Sequence, residues 1–223
     1  TTNAQNYTGV TTTTLGGTLL VNTAGFGVSA GAVSLNAGSG AITLTGTNAA
    51  NDVTLGTVTG AQALAITAGG GDIVLGTVGA TPLTGVTLSG NTASLQAVTT
   101  TGQQNYTGVT TTTLNNTLTV NTAAAGVSAG NVSLNAGSGA ITLTGSDAAN
   151  DVTLGTVTGA QALNITAGGG DIVLGAVGAT PLTTVTLTGN TASLAAVTTT
   201  NAQNYTGVTT TTLGGTLLVN TAG

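Results

Sequence analysis

No lysine, arginine, histidine, cysteine, methionine or tryptophan occurs among the 223 residues of this chain. Each absence excludes a chemistry. Without a cationic side chain nothing neutralises phosphates, so nucleic acid is not an expected partner. Anionic membrane surfaces lose their basic attractor for the same reason. Without His or Cys there is no ordinary zinc, haem or iron–sulfur ligand set, and no cofactor is expected. With neither His nor Lys, no general base works near neutrality and no Ser-His-Asp triad can be built, so the chain is not expected to be an enzyme. Lack of cysteine removes disulfides as a source of stability. No run of about 18 apolar residues is present to cross a bilayer as a helix. The opening TTNAQNYTGV carries neither the basic segment nor the apolar run of a signal peptide.

What remains is a narrow alphabet. Threonine fills 54 positions and glycine 37, and the only charged side chains are Asp52, Asp72, Asp147, Asp151 and Asp171. Leu, Val, Ile and Phe together supply 53 residues, enough to build a core, and a charge content this low argues against disorder.

Repetition organises the chain. Residues 1–99 align with 100–198 without a gap and differ at 15 positions, and residues 199–223 repeat 1–25 without a change. The units are therefore 1–99, 100–198 and the start of a third at 199–223, read as one continuous array that runs on beyond this stretch. Within the long repeat a shorter period appears. Leucine recurs at Leu15, Leu35, Leu55, Leu75, Leu95, Leu114, Leu134, Leu154, Leu174, Leu194 and Leu213, at spacings of 20 with one 19 per repeat.

Each of these leucines closes a triplet such as Val33-Ser34-Leu35 or Val53-Thr54-Leu55, apolar–small–apolar, the alternation of a half-buried strand. Between triplets stand turn signals, among them GSG at 38–40, TNAAND at 47–52 and GGGD at 69–72. A sandwich has no need of leucine at one fixed interval along its whole length. A solenoid does, because each position lies over its equivalent in the next coil, about 4.8 Å away. The fold read from this is all-β, a parallel β-solenoid of about 20 residues per coil and five coils per 99-residue repeat, with the eleven leucines as an internal ladder.

The stretches QNYTGVTTTTLGGTLLVNTAG and VSLNAGSGAITLTG resemble the repeat regions of filamentous-haemagglutinin-like adhesins exported by two-partner secretion, and of related giant bacterial repeat adhesins. That resemblance implies a right-handed parallel β-helix, an extracellular or cell-surface location, and service as a stalk or filament.

Four features are candidate sites. Asp52 and Asp72 take the same place in consecutive coils, as do Asp151 and Asp171; they are weak calcium candidates, or turn residues that accept backbone N–H groups. The outward file Thr14, Ser34, Thr54, Val74, Ser94 is too irregular for an ice-binding array. Tyr7, Tyr106 and Tyr205 could form an exposed sugar-holding row, or fill coil corners with wet hydroxyls. Each lies in an Asn-Tyr-Thr acceptor tripeptide for glycosylation. The function expected is a stiff extracellular rod, a filament or the stalk of a secreted adhesin, whose partner is itself through axial continuation, end-to-end stacking or lateral bundling. A glycan- or surface-binding repeat module is the alternative, with a calcium-stiffened or ice-binding solenoid behind it.

Overall fold

The computed structural model describes residues 1–22, 25–37, 40–121, 124–136 and 139–220. Gly38, Ser39 and Gly223 lie outside the described residues. The described chain is all strand and turn, with 26 strands in one sheet and only parallel pairings between them. It is a β-solenoid, and its strands pair from one turn to the next at steps close to the leucine spacing.

Three faces make each turn. Face A runs through Gln5–Tyr7, Val28–Ala30, Val53–Leu55, Ile73–Leu75 and on to Leu217–Val219; face B through Thr13–Leu15, Val33–Leu35, Val58–Thr59 and onward; face C through Leu19–Val21, Ala41–Leu44, Ala63–Thr67 and onward. Along face A, Gln5 lies under Val28, then Val53, Ile73, Ala93, Thr112, Val132, Val157, Val177, Val197 and Leu217, which makes ten turns.

The register corrects the count of five coils per repeat. The step is widest at two places in the chain. Val28 pairs with Val53 and Val33 with Val58, each a step of 25, and the second repeat does the same from Val127 to Val152 and Val132 to Val157. The extra residues sit in the long turn around 46–51 and its equivalent around 145–150. Leu55 therefore arrives one face early and stacks on Ala30, not on Leu35. A 99-residue repeat covers four turns and two faces: Gln5 is on face A, and its equivalent Gln104 is on face C beneath Val127.

The eleven-leucine ladder accordingly splits into three runs. Leu15 and Leu35 stack on face B, Leu55 to Leu134 on face A, and Leu154 to Leu213 on face C. Ten of them are buried, and Leu213, in the outermost turn, is 51% exposed. Each buried leucine contributes about 1.5–3 kcal/mol. The core they form with Val, Ile and Ala runs the length of the solenoid.

Tight corners explain the glycine content. Gly69 has φ of +61°, and a side chain there would run into the backbone carbonyl of Gly46 in the turn below; Gly168 repeats this against Gly145. Gly25 has φ of +88°, yet its equivalent Ala124 holds φ of +62° with a side chain attached.

Candidate functional site

The aspartates are inter-turn caps. Asp52 precedes the face A strand Val53–Leu55, and its Oδ1 accepts the backbone N–H of Asp72 at 2.9 Å. Asp72 Oδ1 in turn accepts the backbone N–H of Thr92 at 3.1 Å, the Thr92 hydroxyl at 2.9 Å and the Asn91 amide at 2.9 Å. The second repeat reproduces all four bonds on face C, from Asp151 to Asp171 and from Asp171 to Asn190 and Thr191. The Thr92 hydroxyl holds the Asp72 carboxyl below the usual carboxylate range; burial pushes the other way, and the Asn91 amide and Thr92 N–H add to the lowering. Asp171 is lowered by the matching set, led by Thr191. These Oδ1 atoms thus serve the next turn's donors. Among the described residues no three acidic groups come together as a metal-holding cluster. The fifth aspartate, Asp147, caps its own turn by accepting the Ala149 N–H at 2.9 Å.

The tyrosines form no row, and Tyr106 is not a wet corner. Tyr7 stands on face A, Tyr106 on face C and Tyr205 on face B, so no single side carries all three. Tyr106 is fully buried, and its hydroxyl donates to Gln104 Oε1 at 3.0 Å. Gln104, also fully buried, donates its amide to Thr100 Oγ1 at 3.2 Å and to Thr119 O at 2.9 Å. The same Gln–Tyr–Thr bonding recurs as Gln5, Tyr7 and Thr1 and as Gln203, Tyr205 and Thr199, where the tyrosines are half-buried in outer turns. Burial raises the Tyr106 phenol far above its ordinary value and pushes Tyr205 up to about 12. Sequence reasoning alone misses the glutamine. A tyrosine flanked by polar residues looks exposed, but alternation places Gln104 and Tyr106 on the same inward side.

Asn51, to all appearance an ordinary turn residue in the sequence, is fully buried. It accepts the Gly25 N–H at 2.7 Å and donates to Gly46 O at 3.0 Å, tying the long turn to the turn below. Asn6, Asn105 and Asn204, which precede the tyrosines, each accept the N–H of the threonine two residues on, at 3.0 Å, in an Asx turn.

A threonine file does exist, on face B. Thr99, Thr119, Thr142, Thr166 and Thr188 stack over five turns. The step between neighbours changes at every turn, which hides the file from a search at constant spacing. It is a single file, and the one beside it reads Ala140, Asn164, Thr186. The outward positions expected in one line are divided, with Thr14 and Ser34 on face B and Thr54, Val74 and Ser94 on face A.

An open cleft of about 260 Å³ lies on face C, between Gln103, Ala125 and Asp151, floored by Gly126, Ser128 and Thr153. In the first repeat Phe26 stands in the place of Ala125. The cleft brings one carboxylate near hydroxyls and an amide, without a paired base or second acid. No helix of the described residues is long and apolar enough to cross a membrane. Comparison with family models, with curated proteins and with solved structures found no match to this chain.

Proposed function

We propose that the chain is a structural protein, a stiff rod serving as an extracellular bacterial filament or as the stalk of a secreted adhesin, and that it is not an enzyme. The observation that carries this reading is the parallel ladder of ten turns, with its hydrogen bonds along the axis around a Leu/Val core. A surface without Lys or Arg gives trypsin-like proteases no cleavage site, which suits exposure outside a cell. Immunogold electron microscopy of producing cells tests the reading: label along surface fibres is expected. Label confined to the cytoplasm, or purified particles that are not rods, would rule it out.

The cleft beside Asp151 favours a second reading, a module that holds a hydroxyl-rich glycan through that carboxylate, Gln103 and Ser128. Glycan-array binding abolished by Ala125→Phe, which recreates the residue of the first repeat, would support it; no binding by the unmodified chain would end it.

A further inference from the structure

Because a 99-residue repeat covers four turns and two faces, an equivalent surface patch is turned by a third of a revolution from one repeat to the next. The exposed valines display this. Val74, 43% exposed, stands outward on face A between Thr54 and Ser94, whereas its equivalent Val173, 42% exposed, stands outward on face C between Thr153 and Ser193. Three repeats, which make 14 turns and about 67 Å of rod, bring the patch back to its first face. A planar ligand such as an ice face, a mineral or a bilayer meets such a patch only once in three repeats. Partners placed all around the axis meet every one.

We infer that these patches dock a second copy of this chain side by side, and that each rod contacts like neighbours on the two faces, A and C, that carry them. This rests on the rod reading above. A second copy offers on every face the same strand spacing of about 4.8 Å and the same uncharged hydroxyl and valine surface. The five carboxylates stand in turns or just before strands, outside these files, so like charges are not forced together. Area sets the manner of association. In the 223-residue chain a face ten turns long, about 48 Å, and roughly 15 Å wide presents about 700 Å², short of the ~800 Å² per partner of a stable pair. One contact is weak and the two together exceed that area, so rods assemble cooperatively into bundles, not into dimers.

The test is light scattering and negative-stain microscopy of the 223-residue chain at rising concentration. Bundles with several neighbours per rod are expected. The double variant Val74→Glu/Val173→Glu should raise the onset concentration at least tenfold with an unchanged circular dichroism spectrum. Val74→Thr/Val173→Thr, which keeps shape and neutrality, should raise it less and guards against a folding defect in the first variant. Rods that stay single, rods joined only end to end, or layers on a flat support whose onset ignores both variants would each overturn the inference while leaving the rod intact. Particles that are not rods would overturn the rod reading and this inference with it.

Discussion

Single residues in this chain are judged by which side of a strand they occupy. Leu154 is 2% exposed and sits between Ala129 and Leu174, whereas Ser133 points outward from the strand that holds Leu134. Leu154→Asp places an unpaired charge in the core and should cost on the order of 3–5 kcal/mol. Ser133→Asp should cost under about 1 kcal/mol. Denaturant titration of the two variants compares them, and equal midpoints would refute the assignment of sides. Ala124 is strained in a different way, since it takes a left-handed conformation that glycine holds at the same place in the first repeat. Ala124→Gly should therefore raise stability by about 1 kcal/mol, read as a higher melting temperature.

At the scale of strands and turns, register is the quantity to test. Ser29 lies beside Thr54, and Ser34 beside Thr59. Coils of constant length at the leucine interval would instead set Ser34 beside Thr54. Neighbouring strands lie within disulfide range, so the pair Ser29→Cys/Thr54→Cys should oxidise to an internal disulfide and Ser34→Cys/Thr54→Cys should not. Mass spectrometry after mild oxidation distinguishes them.

The caps between turns give acid sensitivity. Asp72 and Asp171 have carboxyls lowered in the folded chain, so their stabilisation is complete above the unfolded value near 3.9 and fades as pH falls through the folded value. Asp72→Asn/Asp171→Asn should melt lower than the unmodified chain at pH 6, and the gap should narrow as pH falls below the unfolded value. A gap that persists in acid would show that charge is not what these residues contribute.

Over the whole molecule, position in the stack decides what an identical side chain is worth. Tyr106 and Tyr205 make the same bond to the equivalent glutamine at the same 3.0 Å. Turns cover Tyr106 on both sides, whereas Tyr205 lies in an outer turn and is half-buried. Tyr106→Phe leaves the buried Gln104 Oε1 without its donor, at about 1–3 kcal/mol, whereas water can replace the hydroxyl at Gln203. Chemical denaturation should show the first loss clearly and the second as a fraction of it.

The fold class was legible because stacking forces it into the sequence. A position buried under its own equivalent must stay apolar every turn, so leucine at a fixed interval, Val-x-Leu alternation and glycine at corners announce a parallel solenoid without any coordinates. Composition fixes which side chains are missing in every fold the chain could adopt. The turn-by-turn register was not legible. Leu35 and Leu55 keep the leucine spacing, yet the long turn between them, pinned by buried Asn51, uses more residues than that spacing allows and moves Leu55 to another face. Periodicity counts residues, whereas register depends on how far each turn carries the chain around the axis, and that is fixed only when backbone hydrogen bonds select a partner. Only the tertiary structure could therefore decide that Tyr106 is buried against Gln104, that five threonines line up on face B, and that equivalent surfaces of successive repeats look out in three directions.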